Sequence, residues 1–399
     1  MKRASAIVLS CLFVCLLASA SVVQAGGFAL YEWSNRGVAM ATTGYAVAGD
    51  ASVIATNPAL MTKLEGKHAL AGAVVISPQT SVYVDGDKNK TKSKKFVVPH
   101  AYYTHQMGDN ENVWLGVGMF TRFGLGTYYD DDWVGKASLQ YVDLQSISLN
   151  PNIAFKFNDQ FSAAFGIEIL KGGFKLQKEI GAAIVKADTE GYATGVNVGL
   201  NYDLDDQWSA AFTYRSQMKM YTTGYGRNDT NAVPDSDSEQ VIRATLPSSY
   251  TVGVGYQPTD DWTLEFDTIY TRWESVDKLI YEGPIEAETE LHYKNTWRFQ
   301  VGTEYWAKEW LAVRFGYAYD QTPTRAGDAS FMLPANDRQL YSTGLGFKWD
   351  NWNADWSFMY VTTKSRNNLT MSDPVLGVID VDFKNGQTWI SGLSIGYEF

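Results

Sequence analysis

In the segment Asp260–Trp273 (DDWTLEFDTIYTRW), Trp262, Leu264, Phe266 and Tyr270 occupy one parity, and Thr263, Glu265 and Asp267 the other. A period of two places alternate side chains on opposite faces of a β-strand. The pattern recurs in WSAAFTYRSQ, where Trp208, Ala210, Phe212 and Tyr214 oppose Ser209, Thr213, Arg215 and Gln217. It recurs in WNADWSFMY, where Trp352, Trp356 and Phe358 oppose Asn353, Asp355 and Ser357, and in LAVRFGYAY, where Leu311, Val313, Phe315 and Tyr317 oppose Arg314. The last nine residues, SGLSIGYEF, put Leu393, Ile395, Tyr397 and Phe399 on one face. Six connections between such runs are short and polar, at 108–112, 158–160, 203–207, 258–261, 307–309 and 350–351. They are rich in Asn, Asp and Gly, which form tight turns. Seven others are longer, near 78–95, 125–139, 176–190, 221–239, 275–289, 321–338 and 365–385. Six short and seven long connections join fourteen strands.

Two environments produce this alternation. A soluble β-sandwich hides its apolar parity and uses strands of about five or six residues. Here many runs reach ten or more, and the polar parity carries Glu168, Arg215, Glu265, Asp267, Arg298, Glu304, Arg314 and Asp355. Long strands, an even strand number, short turns on one side, long loops on the other and aromatic residues at strand restarts describe a transmembrane β-barrel. In lipid every backbone group needs a partner, and closing the sheet removes its edges. The expected fold is all-β: a 14-stranded antiparallel transmembrane β-barrel over residues 67–399, with Trp262, Leu264, Phe266 and Tyr270 facing lipid and Glu265 and Asp267 facing the lumen. Both termini fall on the short-turn, periplasmic side. Terminal Phe399, with apolar residues at alternate positions before it, resembles the signal that hands outer-membrane barrels to their assembly machinery. A Gram-negative outer membrane is the expected location.

Composition sharpens this reading. The start MKRASAIVLSCLFVCLLASASVVQA has Lys2 and Arg3, an apolar stretch and Val23-Gln24-Ala25. It reads as a signal peptide, residues 1–25, too short in its apolar part to span a membrane. The two cysteines, Cys11 and Cys15, lie within it, so no disulfide is expected in the mature chain. Removing Lys2 and Arg3 and no acids takes the formal net charge from −11 to −13, which excludes nucleic acid as partner. His68, His100, His105 and His292 lack metal-ligand spacing. DGDKNK (85–90) lacks the glycine and the terminal acid of a calcium loop. DDDW (130–133) reads either as a solvated acidic loop or as a divalent-ion bridge to lipopolysaccharide. No nucleotide fingerprint stands out, and neither an enzyme activity nor a cofactor is expected.

Residues 26–66 do not alternate. GDASVIATNPALMTKL reads as short helical turns, with Asp50 as a cap and Pro58 at a first helical position. Phe28, Leu30, Tyr31, Trp33, Val38, Met40, Val53, Ile54, Leu60 and Met61 would be poorly solvated in a free periplasmic tail. A lumen inside fourteen strands is wide, so this segment is expected to be a hatch (plug) domain.

The segment GGFALYEWSNRGVAMATTGYAVAGDASVIATNPAL, with FVVPHAYY, LPSSYTVGVGYQPTDDWTLEFDTIYTRWESV, TWRFQVGTEYW and FGYAYDQTPTRAGDASFMLPANDR, resembles the FadL family of outer-membrane transporters. Asn57-Pro58-Ala59 in the hatch together with LPANDR carries most of that likeness. The resemblance implies transport of hydrophobic molecules, long-chain fatty acids or aromatic and aliphatic hydrocarbons, by a monomer surrounded by outer-membrane lipid and lipopolysaccharide. It implies an outer groove on the third and fourth long loops, which nominates Ile180, Ile184 and Val185. It also implies a lateral exit at a kinked third strand, which nominates Gly116, Gly118, Gly124 and Gly126. Glycines inside a strand suit a bend or bulge. Apolar runs in outer loops add Phe331, Met332 and Leu333, and PVLGVI (374–379), as landing-site candidates. Arg215, Arg298 and Arg314 are the cations available for an anionic head group, or they pair with Glu168, Glu265, Asp267 or Glu304. If all three are paired, a neutral hydrocarbon is favoured. A water-filled porin, and an outer-membrane enzyme or adhesin, are the alternatives.

Overall fold

The computed structural model describes residues 27–108, 111–230, 235–325, 330–373 and 375–399. The signal peptide with Cys11 and Cys15 lies outside the described residues. Among those described, twenty-one strand segments form one sheet. Segments that continue one another across a break make the fourteen strands of a closed antiparallel barrel. They are β1 (Lys67–Val84), β2 (Asp87–Lys90 and Phe96–Gln106), β3 (Val113–Phe120 and Leu125–Tyr128), β4 (Tyr141–Lys156), β5 (Phe161–Ile180), β6 (Ala183–Asp203) and β7 (Trp208–Arg215 and Met218–Asn228). The second half comprises β8 (Asp235–Leu246 and Ser249–Thr259), β9 (Trp262–Thr271 and Lys278–Glu282), β10 (Ala287–Glu290 and Thr296–Lys308), β11 (Leu311–Asp320), β12 (Arg338–Trp349), β13 (Trp352–Thr363 and Arg366–Asp373) and β14 (Gly377–Glu398). The barrel closes where β1 pairs with β14, from His68↔Glu398 to Val84↔Val381.

The faces follow the alternation. Phe266 is 49 % exposed on the outer wall, while its neighbours Glu265 and Asp267 are buried inside. The six short turns fall where the polar connections predict them. Four of the aromatic restarts, Trp208, Trp262, Trp310 and Trp352, ring that end on the outside. Trp114 does not: it is buried in the lumen and donates its indole N–H to Leu64 O at 2.8 Å. The third long connection is not a loop. β5 and β6 stay paired to Ile180↔Ala183 across a two-residue turn, where Gly181 has φ +63°. Their 20 and 21 residues far exceed the ~9–11 needed to cross a bilayer. The hairpin continues because a ladder needs only backbone partners, which the hydrophobic pattern does not report.

The N-terminal segment folds inside the barrel. Ser34 caps the short helix α1 (Asn35–Ala39) by accepting Gly37 N–H. Helix α2 (Val53–Thr56) is followed by a 3₁₀ turn, Pro58–Lys63, with Pro58 at its start and Asn57 accepting Ala59 N–H at 3.1 Å. Asp50 caps the turn before α2 by accepting Ser52 N–H. Between α1 and α2, Ala41 and Thr42 hold φ of 56° and 72°, a left-handed conformation costly for residues with a Cβ. Barrel side chains hold it in place: Gln300 donates to Thr42 O at 2.8 Å, and Arg298 donates to Thr42 Oγ1 at 2.8 Å. Inward-facing glycines make room. A Cβ on Gly316 would lie 2.3 Å from the Met40 backbone, and one on Gly116 2.4 Å from Met61 Sδ.

Candidate transport path

Among the described pairings, the sheet register defines an interruption of the wall at β3. The lower part of β3 pairs with β2 only from Gln106↔Trp114 up to Ala101↔Met119. It then leaves the ladder at Thr121–Gly124 and resumes against β4 at Leu125↔Leu144. Among the described pairings, Phe96–His100 of β2 are bonded on the β1 side alone, from Ile76↔Phe96 to Gly72↔His100. Contact between the two strands returns above, at the Thr91↔Tyr129 bridge and the Lys92 N–H to Tyr128 O bond of 2.7 Å. The result is a window in the wall, framed below by Ala101 and Met119 and above by Thr91 and Tyr129.

The freed backbone of β3 is satisfied from within. Leu30 N–H donates to Arg122 O and Gly124 N–H to Phe28 O, both at 2.9 Å. Trp33 Nε1 donates to Thr121 O at 2.9 Å. Arg122 turns inward to Glu168 (3.1 Å) and Pro247 O (3.3 Å). Phe120, Thr121, Arg122 and Phe123 are therefore four consecutive buried residues, a local failure of alternation.

A cavity of about 610 Å³ fills the window. Its inner wall includes Leu30, Phe123, Val361 and Ile390, and its outer mouth Val97, Pro99 and Met119. Val97 is 66 % exposed on the outside, so the cavity joins the lumen to the outer wall. Leu333, Pro334 and Ala335 form part of its roof. That roof is tied down: Phe331 meets Trp133 edge-on at 4.9 Å, Trp133 stacks on Tyr129 at 3.9 Å, and Thr127 Oγ1 and Tyr129 OH donate to Met332 O and Phe331 O at 2.8 and 2.9 Å.

The nominated residues separate. Gly124 and Gly126 line the cavity at the interruption. Gly116 and Gly118 do not belong to it: they sit in the regular ladder below, opposite Thr104 and Tyr102, where their missing side chains admit Met61 and Ile54. Leu333 lines the cavity, Phe331 is a buried anchor and Met332 is half-buried. Ile180, Ile184 and Val185 lie at the β5–β6 hairpin, not in an irregular loop, with Val185 buried in the outer apolar cluster and Ile180 packed against it. None of the three lines this cavity. In PVLGVI, Pro374 lies outside the described residues, and Ile379 is buried in the same cluster.

The three arginines are occupied. Arg215 bonds Glu168 at 3.2 Å and the carbonyls of Ile54 and Ala55 at 3.2 and 2.6 Å, so it caps α2. Arg298 bonds Asp320 at 3.2 Å, and Arg314 bonds Glu304 at 2.5 Å and Asp355 at 2.6 Å. Glu304 also receives Arg36 through two bonds of 3.1 and 3.0 Å. Among the described residues Glu265 pairs with no arginine: its Oε1 accepts the backbone N–H groups of Gly44, Tyr45 and Ala46. Buried charge is held this way because an unpaired ion in a low-dielectric interior is costly. Asn57 Nδ2 ties the 3₁₀ turn to Tyr45 O and to Leu200 O of the wall, at 2.8 and 3.1 Å, while Pro58 and Ala59 are buried beside it. Outside the membrane-spanning part, Asp131 and Lys92 bond at 2.9 Å. That bond lowers the Asp131 pKa and raises that of Lys92.

The family described as outer membrane protein transport protein (OMPP1/FadL/TodX) matches residues 16–399. The chain belongs to this family. The FadL-type chain is 24 % identical over 444 residues to the long-chain fatty acid transport protein of Escherichia coli O6:H1, covering 98 % of each. Its fold is similar to the crystal structure of a Pseudomonas aeruginosa FadL homologue, with a TM-score of 0.85, 18 % identity, and coverage of 94 % of this chain and 100 % of the other. It is also similar to the P. putida toluene transporter TodX, with a TM-score of 0.70, 15 % identity, and coverage of 95 % and 99 %. As a FadL-family member the protein is an outer-membrane transport protein and not an enzyme.

Arg122, Leu30, Phe96, Val361 and Ile390 are the site residues that sequence reading missed. Only Arg122 left a signal, as the charged residue in MFTRFGLG where alternation stops.

Proposed function

We propose that the protein carries uncharged hydrophobic molecules through the outer membrane by way of the cavity in the β2–β3 window, with residues 27–66 as the hatch that closes the lumen. The observation that carries this reading is the cavity's continuity from Leu30 and Ile390 inside to Val97 and Met119 outside. A cargo in it passes sideways into lipid without meeting the charged lumen floor, driven by burial of apolar surface at about 0.8 kcal/mol per CH₂. An uncharged cargo is favoured because Glu32 and Asp143 are buried in the lining, and because Arg215, Arg298 and Arg314 are committed to carboxylates. A like charge beside a carboxylate in a confined site is repelled.

The second reading is a long-chain fatty acid whose head group stays at Lys92 and Lys95 on the cavity's outer edge. It is favoured by those two cations and by Arg338, which also lines the cavity while its Nη2 bonds Asp320 at 2.6 Å. The groove reading of Ile180, Ile184 and Val185 stands as a proposal for first capture on the outer hairpin.

The sequence has cysteine only at positions 11 and 15, so an introduced cysteine is a unique label after signal cleavage. Met119→Cys labelled with a bulky thiol reagent should abolish uptake of a monoaromatic hydrocarbon, whereas labelled Leu115→Cys, outward but away from the cavity, should not. Equal uptake by labelled and unlabelled Met119→Cys would overturn the lateral path. A large steady conductance of the intact protein would favour the porin reading instead.

A further inference from the structure

The outer face above the lipid-facing wall carries a column of lysines from β2 and β14 that flanks the end of β1, with Asp85, Asp87, Asp380 and Asp382 at its upper edge. Residues 88–95 hold five lysines in a chain of formal net charge −11. Register places them. Tyr83 of β1 pairs with Lys88 on one side and Asp382 on the other, and Ser81 with Lys90 and Lys384. Val82 and Val84 are buried inward, so Tyr83 and its row face outward. The Nζ atoms of Lys88 and Lys384 lie 5.9 and 4.7 Å from the Tyr83 ring centroid. Lower down, Lys95 is exposed two positions from Val97, on the same outward face. It directly precedes Phe96, which pairs with Ile76, and the next residue of β1, Ser77, pairs with Trp389. Trp389 is 47 % exposed and packs 4.4 Å from Tyr360, part of the aromatic belt that marks a membrane interface. The column thus begins at the outer belt and rises into the head-group layer.

Elsewhere on this rim, bases pair with acids across strands: Lys171–Glu190 and Lys278–Glu288 at 2.6 Å, Lys175–Asp188 and Arg243–Glu282 at 2.8 Å. In the column Lys384 pairs with Asp382 and Lys92 with Asp131. Among the described residues, Lys88, Lys90 and Lys95 have no carboxylate at ion-pair distance. Three exposed cations on one face without an ion pair are open to an anion from outside the protein. Directly beneath them Val75 pairs with Val97, both outward and exposed, an apolar strip suited to acyl chains.

We propose that this face binds a phosphorylated glycolipid of the outer leaflet, its phosphates on Lys88, Lys90 and Lys95 and an acyl chain on the Val75–Val97 strip. Val97 lines the cavity mouth, so the bound lipid borders the window. Each lysine near an anionic lipid surface contributes enough that losing three weakens binding on the order of a hundredfold.

The test uses the full mature protein in lipid nanodiscs, with diphosphoryl lipid A, its phosphatase-treated form and oleate as probes. Two triple variants are compared, Lys88→Gln/Lys90→Gln/Lys95→Gln and the corresponding arginine set, both checked for the barrel's heat-dependent gel shift. The glutamine set should bind diphosphoryl lipid A about a hundredfold more weakly, the arginine set as tightly as the parent, and phosphate removal should match the glutamine loss. Equal binding of the phosphatase-treated form, or an unchanged affinity in the glutamine set, overturns the proposal. So does loss of oleate binding with lipid A binding intact, which would assign the lysines to cargo. Hydrocarbon uptake by the glutamine set reports on the transport reading separately.

Discussion

Leu30 donates its backbone N–H to the Arg122 carbonyl at 2.9 Å, and so occupies on β3 the position that β2 vacates. The N-terminal segment is therefore one rail of the window as well as the filling of the lumen. Leu30→Pro removes that donor and is expected to cost about 1 kcal/mol locally. Faster amide exchange at Thr121–Gly124, with the lower ladder of β3 unchanged, is the measurement; unchanged exchange would contradict the role given to Leu30.

Arg36 holds Glu304 through two bonds, while Arg314 remains on Glu304 and Asp355. Arg36→Met should loosen the segment without breaking the wall, because Glu304 keeps one partner. Losing one member of a buried pair costs about 3–5 kcal/mol when no partner remains, and less here. Planar-bilayer recordings should show intermittent conductance steps absent from the parent.

Gly316→Leu tests the fit of the segment more harshly. Its Cβ would fall 2.3 Å from the Met40 backbone, which cannot move aside as a side chain tip could. The variant should conduct like a chain lacking residues 27–66, and should still show the heat-dependent gel shift of a closed barrel. A silent variant would mean that Met40 can withdraw.

Trp133→Ala removes the plate between Tyr129 and Phe331. Truncating a buried Trp costs about 3–5 kcal/mol, and here the loss falls on the roof at Leu333–Ala335. Limited proteolysis should cut near Phe331 in the variant and spare the intact protein.

The Lys92–Asp131 bond is the pH-sensitive contact of the upper frame. Asp131 is shifted down from 3.8, so its contribution is present above that value and fades as pH falls through its lowered pKa. Lys92 is shifted up from 10.5, so its contribution is present below that value and fades as pH rises through its raised pKa. Exchange at the Lys92 amide should be slowest, after correction for intrinsic rates, between those limits.

The strand count, faces and short turns were legible because lipid outside and charge inside impose a strict period of two. The third outer connection was not, because there the outward face of the β5–β6 hairpin turns from apolar to charged, with Lys171 on Glu190 and Lys175 on Asp188, while Val185 and Ala187 stay buried inward, so the lipid-facing signal ends and the backbone ladder does not. Gly116 and Gly124 look alike in sequence, yet one yields space to Met61 and the other marks the interruption. Arg215, Arg298 and Arg314 were readable as inward cations. Two of their partners, Glu168 and Glu304, were among the carboxylates expected; Asp320, which faces Arg298 across the β10–β11 hairpin, and the carbonyls of Ile54 and Ala55 were not, since register and the fold of the enclosed segment bring them close. Glu265 shows the same limit: its partners are the backbone amides of Gly44–Ala46, which no side-chain pattern announces.

The seam between β1 and β14 joins the two ends of the barrel-forming chain, with Lys67 O accepting Phe399 N–H at 2.9 Å. Residues 27–66 are by then enclosed. The geometry points to an order in biogenesis, with residues 27–66 gathered in before the last strand zips, as a letter goes in before the envelope is sealed. A chain that closed first would leave its own beginning stranded in the periplasm, and β3 with unanswered amides facing oil.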